Sequence, residues 1–148
     1  MSSEILLLSG PNLDELGVRS PLIYGPMSLG EHVARFTQMA EEHGFAVRHL
    51  QSNFEGDLIE AVHGARGQCA AIVINAGALS HSSWALRDAV ATFDGVSIEV
   101  HLSNPAARES FRHLSTLAGV VSGTIAGFGA TSYDLALDAV IRLLGTTP

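Results

Sequence analysis

A chain of 148 residues is the size of one domain and long enough to bury a full core. Its formal charge of −7 argues against nucleic acid or an anionic membrane surface as the main partner, although an anionic small substrate fits if cations are local to a pocket. Only 16% of the residues are charged and 47% are apolar, against roughly 25% charged in an average domain, so part of the surface is expected to be hidden against other subunits.

The chain enters its first strand almost at once, without a basic n-region or a long apolar h-region. No apolar run approaches the ~20 residues of a membrane helix. A soluble, cytoplasmic protein with no membrane partner is expected. Ile5 to Leu8 is a continuous apolar run, as in a strand covered on both faces, and Ser9-Gly10-Pro11-Asn12 turns the chain. Residues 14–27, with Gly17, Pro21, Gly25 and Pro26, read as a long loop and not as an element. Loops of that length often serve as lids. Ser28-Leu29-Gly30-Glu31 has capping-box spacing and opens a helix running to about His43, stopped by Gly44.

Phe45 to Leu50 is a second strand, followed by Gln51-Ser52-Asn53. Ser52 and Glu55 offer a second capping box, for a helix from Glu55 to about Ala65 with Leu58, Ile59 and Val62 on one face. The single Cys69 excludes an internal disulfide, suits a reducing compartment and reads as a small buried residue. Ala71 to Ile74 is a third strand ending in Asn75-Ala76-Gly77. Ser80 to Ser83 supply N-caps for the helix carrying Trp84, Leu86 and Val90. Val96 to Leu102 is the fourth strand, and Pro105 starts a short helical segment. Val120 to Ala126 is the fifth. A last helix from about Ser132 to Leu144 packs Leu135, Leu137, Val140, Ile141 and Leu144. Strands alternating with helices predict a single α/β domain over residues 1–148. Its expected form is a flavodoxin-like, doubly wound five-stranded parallel sheet with helices on both faces.

In such sheets ligands bind at the carboxyl ends of the strands. Here those ends carry Asn12, Gln51, Asn53, Asn75 and His101, a polar edge with few charges, and the long loop brings Arg19 and Tyr24 to it. Within the fourth strand, Glu99 and His101 share one face, because every second side chain of a strand does. A carboxylate beside an imidazole fixes the ring's tautomer and favours its charged form, preparing a general acid; a satisfied core histidine fits the same two residues. A cation near a phenol favours phenolate, which makes Tyr24 with Arg19 a candidate base. Taken singly, Tyr24 reads as a loop anchor, Arg19 as a solvated cation, Asn12 and Asn75 as turn residues, His81 as a helix-terminal residue and Arg112 as a surface charge. A base and an acid without an activated Ser or Cys suit proton abstraction next to a carbonyl, followed by loss of a leaving group. The seven histidines show no HExxH or His-x-His spacing, so no metal is expected. A receiver-type module would need acidic residues where Ser9 and Asn75 stand. A flavodoxin would need a Ser/Thr-rich loop where Gly10-Pro11-Asn12-Leu13 stands.

Four blocks stand in order: Gly10-Pro11-Asn12-Leu13 with Arg19 and Ile23-Tyr24-Gly25; Gln51-Ser52-Asn53-x-Glu55-Gly56; Ile74-Asn75-x-Gly77-Ala78 with His81, Ser83 and Ala85-Leu86-Arg87-Asp88; and Glu99 to Asn104 with Arg108-Glu109 and Phe111-Arg112. In these blocks the chain resembles the type II 3-dehydroquinate dehydratases. The resemblance implies dehydration of 3-dehydroquinate to 3-dehydroshikimate by anti elimination through an enolate, without cofactor, metal or Schiff base. It implies Tyr24 as base, Arg19 holding it as phenolate, Asn12 positioning a water at the enolate oxygen, and His101, oriented by Glu99, as acid. Asn75, His81 and Arg112 would bind the substrate's hydroxyls, and the backbone N–H groups of Leu102 and Ser103 its carboxylate. Asp88 would reach a neighbour's site in a trimer, with four trimers forming a dodecamer. Ser9, Asp14, Phe54 and Ala76 depart from the common family pattern. The alternative implied is a catalytically weak relative that binds a cyclic polyol acid without turning it over.

Overall fold

Alternation along the strands decides which helix covers which face. In the computed structural model, which describes residues 2–145, Ile5 and Leu7 of β1 (Glu4–Ser9) point to one side of the sheet and Leu6 and Leu8 to the other. The first side is packed by α2 (Leu29–Glu41) and α5 (Thr131–Gly145) through Phe36, Ala40, Tyr133, Ala136, Leu137 and Val140. The second is packed by α3 (Glu55–Ala65) and α4 (Trp84–Ala91) through Leu58, Val62, Leu86 and Val90. The remaining strands are β2 (Ala46–Gln51), β3 (Ala71–Asn75), β4 (Val96–His101) and β5 (Gly123–Ala126). All neighbouring pairs are parallel, in the order β2-β1-β3-β4-β5. The expected doubly wound sheet with helices on both faces is therefore present. The connection from β1 leads outward to β2 and the chain returns to β3 on the other side, so the topological switch lies between β1 and β3.

The two turns at that switch cross closely. A Cβ on Gly10 would lie 2.4 Å from the Ala76 carbonyl oxygen, and one on Gly77 2.8 Å from that of Pro11. Only glycine lets the backbones after β1 and β3 approach this far.

Four expectations need correction. Residues 14–27 are not a featureless loop: Leu13–Glu15 form one 3-10 turn and Pro21–Tyr24 one helical turn, α1. Leu13 and Leu16 are buried in the core and pin the first turn, while Pro21 opens the second and Gly25, at φ 85°, ends it. Ser52 is not an N-cap; Phe54 holds that position, and the Ser52 hydroxyl accepts the Phe54 N–H (3.0 Å) and donates to Asp57 (2.6 Å). The fifth strand is shorter than Val120–Ala126. Val120 and Val121 bend back in a turn onto the Leu117 carbonyl and pair with no strand. On α5, Leu135 is exposed, and Tyr133 and Ala136 take the core positions instead. The capping box at Ser28 and the N-cap at Ser83 are as expected.

Candidate active site

The end of β4 brings Glu99 and His101 together as the alternation requires: His101 Nε2 lies 2.6 Å from Glu99 Oε2. Glu99 is completely buried and His101 nearly so. The carboxylate can only accept, so Nε2 carries the proton and Nδ1 is the nitrogen left for exchange with a ligand. The Ser115 hydroxyl donates to the same carboxylate, 2.8 and 2.7 Å from its two oxygens. Its own oxygen accepts the N–H groups of Leu117 and Ala118, which aims its hydrogen at Glu99. Thr124 on β5 adds a bond of 3.3 Å. Burial alone would push the Glu99 carboxyl up. The hydrogen bonds from His101, Ser115 and Thr124, with the charge of His101, outweigh it and hold the carboxyl below the ordinary carboxylate range. Glu99 is thus a fixed, buried anion beneath the imidazole. A cavity of about 320 Å³ opens beside this pair, lined also by Arg112, Ser115 and Thr124.

His81 stacks on His101, with ring centroids 6.4 Å apart and planes 17° apart. Its Nδ1 donates to the Leu114 carbonyl at 2.8 Å, which leaves Nε2 to meet a ligand. Arg112 is largely buried, paired with Glu109 and laid over the Phe111 ring. The Arg112 guanidinium beside it holds the Glu109 carboxyl below its usual range.

The second group of residues stands on the lid. The Arg19 guanidinium carbon lies 4.8 Å from the Tyr24 ring centroid, and that of Arg108 lies 4.9 Å from it. Both guanidinium groups lie within cation–π range of the Tyr24 ring and are attracted by its quadrupole. Arg108 also donates to Ser103 Oγ at 3.1 Å, which ties the Tyr24 group to the row that holds His101. Its Nε is buried with no partner among the described residues. Leu102 is buried and Ser103 half-buried, just past the end of β4.

Asn75 is buried at the end of β3, in register with Ser9; its Oδ1 accepts the Gly77 N–H at 3.2 Å. Asn12 stands after β1 in the left-handed region, at φ 68°. The departures fall at varied depths. Ser9 is buried, its hydroxyl 3.0 Å from His49 Nε2, and burial lowers the His49 value. Ala76 is buried, Asp14 is exposed in the 3-10 turn, and Phe54 is 72% exposed. The structure does not bring Asp88 to the other residues: it lies exposed on α4, paired with the adjacent Arg87 at 3.2 Å. Among the described residues no group of three or more His, Cys, Asp or Glu side chains gathers as metal ligands would.

Ser115, Thr124 and Arg108 were not among the residues singled out as chemical in the sequence. Arg108 stands in the fourth block and offered a signal there. Ser115 and Thr124 offered none, being ordinary hydroxyl residues on a turn and a neighbouring strand. Together the arrangement offers a buried acid on a strand, a phenol between two cations on a lid, and amide and imidazole groups in between.

Comparison with known proteins points the same way. The profile of the family described as Dehydroquinase class II matches residues 3–141. The chain is 49% identical over 138 residues to 3-dehydroquinate dehydratase 1 of Corynebacterium efficiens, covering 93% of this chain and 91% of that one. It is 50% identical over 140 residues to 3-dehydroquinate dehydratase of a Synechococcus species, covering 95% and 96%. Among solved structures, the type II dehydroquinase of Butyrivibrio crossotus superposes with a TM-score of 0.91 at 38% identity, covering 95% of this chain and 98% of that one.

Proposed function

The chain belongs to the class II dehydroquinase family, and from that membership we infer that it dehydrates 3-dehydroquinate to 3-dehydroshikimate as a type II dehydratase. Tyr24 removes a C2 proton, with the Arg19 guanidinium against its ring. Asn12 positions a water that hydrogen-bonds the enolate oxygen as charge develops there. His101, its Nε2 held by Glu99, gives a proton to the departing C1 hydroxyl. Asn75, His81 and Arg112 take the substrate's hydroxyls, and the N–H groups of Leu102 and Ser103 its carboxylate. Residues 1–148 act as one catalytic domain.

The observation that carries this reading is the buried Glu99–His101 pair, with Arg108 lying over Tyr24 and donating to Ser103, two residues past His101. A bare binder of a cyclic polyol acid has no need of an acid and a base so prepared. The protein works as a homo-oligomer in the cytoplasm, a dodecamer of four trimers in which Asp88 reaches a neighbouring site. The exposed Asp88 supports the first part, as do the exposed Trp84, Phe111, Leu114 and Phe128. Among the described residues no helix is long and apolar enough to cross a membrane.

The test is ultraviolet absorbance on mixing the protein with 3-dehydroquinate. Growth of enone absorbance that survives both borohydride pretreatment and a chelator is expected. Silence from folded protein would overturn the reading in favour of a substrate-binding relative.

A further inference from the structure

Asn12 is one of only two non-glycine residues with positive φ among the described residues. Asparagine tolerates that region better than most, yet a left-handed residue persists only where its surroundings over-determine it. Its carboxamide makes no capping bond of its own to hold the turn. The grip comes instead from the end of β2. The Asn12 N–H donates to Asn53 Oδ1 at 3.0 Å. Gln51 Nε2 donates to that same oxygen at 3.1 Å and to the Gly10 carbonyl at 3.1 Å. Gln51 is in register with Ser9, so it reaches the Gly10 peptide from the neighbouring strand. The Gly10 N–H is bonded to the Asn75 carbonyl at 2.8 Å, which fixes the other side of the same turn.

We propose that Gln51 and Asn53 are positioning residues for the reaction: Asn53 Oδ1, steered by Gln51, clamps the Asn12 backbone in its left-handed turn and so aims the Asn12 carboxamide at the reacting centre. This rests on the role given to Asn12 above. Neither residue is given a substrate contact in the proposed reaction. The chemistry of the clamp is specific, because both contacts to Asn53 come from donors to one oxygen. A carboxylate in its place accepts the same two bonds, and a methyl group accepts neither.

Steady-state kinetics of Asn12→Ala, Asn53→Ala, Asn53→Asp and the Asn12→Ala/Asn53→Ala double variant test this, with thermal melts confirming fold. Misplacing a group by about an ångström costs up to ~10²-fold. Asn53→Ala should therefore lower kcat by about 10- to 100-fold with KM little changed. Asn53→Asp should restore most of the rate, and the double variant should be no slower than Asn12→Ala. An unchanged kcat in Asn53→Ala, an Asp variant as slow as the Ala variant, or losses that multiply in the double variant would each overturn the clamp while leaving Asn12 in its role. Full activity in Asn12→Ala would overturn the role itself. If Asn53→Ala does not fold, Gln51→Met supports the same comparison. A loss present with Asn12 and absent without it supports the clamp, and a loss in both backgrounds overturns it.

Discussion

Glu99 and His101 sit on a central strand, buried, with the carboxylate bonded to an imidazole and two hydroxyls, whereas Tyr24 rides one helical turn of the lid, half-buried between two guanidinium groups. The difference is one of solvent. Removing one partner of a buried pair leaves an uncompensated charge in the protein, so the strand half couples its chemistry to folding. The lid half is held by cation–π contacts in reach of water, where each is worth little to the fold. Damage to the first should cost both rate and stability. Damage to the second should cost rate alone.

The sharpest way to break that contrast is to compare His101→Ala with Tyr24→Phe. Each removes one acid–base group and should lower kcat by about 10²–10⁴-fold. His101→Ala should also destabilise the fold by about 3–5 kcal/mol, because Glu99 stays buried without its partner. Tyr24→Phe keeps the ring under both guanidinium groups and should melt with the parent. Equal melting temperatures for the two variants would abolish the distinction.

Glu99→Gln sharpens it through pH. The folded carboxyl is held below its ordinary value, so the folded state binds the proton less readily than the unfolded chain. Its stabilisation is complete above the ordinary carboxylate value and is lost as pH falls through the lower folded value. Urea midpoints of the parent should fall across that acid interval, and Glu99→Gln should lack this part of the slope. Identical slopes would mean that the fold does not hold the Glu99 carboxyl below its ordinary value.

Arg108→Ala probes the lid half more gently. Losing one cation–π contact worth ~0.5–2 kcal/mol should slow turnover by about 2- to 30-fold, with at most a small fall in melting temperature beside that of His101→Ala. A clear fall in melting temperature would place Arg108 with the strand half. The smallest effect belongs to Phe54→His. The side chain is mostly exposed at the start of α3, and a change there should stay within about 0.5 kcal/mol in a urea melt and leave kcat unaltered.

How much of this was legible depended on distance along the chain. Glu99 and His101 are two residues apart, and strand alternation alone puts them on one face. The apolar runs of β1 and β3 and the caps at Ser28 and Ser83 were equally local, as was the gathering of polar residues where strands end. The exceptions were local signals overruled by packing. Leu13 and Leu16 bury themselves and turn a Gly/Pro-rich stretch into two short helical turns. Ser52 sits two residues too early to cap α3, and Tyr133 displaces Leu135 from the core.

By itself, then, the sequence determined the strand and helix order, the parallel doubly wound class, the acid pair and the blocks that resemble a family, because each rests on periodicity or spacing within a few residues. Only the tertiary structure decided that Arg108 lies over Tyr24, that Ser115 and Thr124 complete the cage of Glu99, and that Asn53 grips Asn12. Those contacts join segments 16 to 84 positions apart. Chain folding brings such segments together, and no local pattern records which hydroxyl, guanidinium or amide will meet which partner.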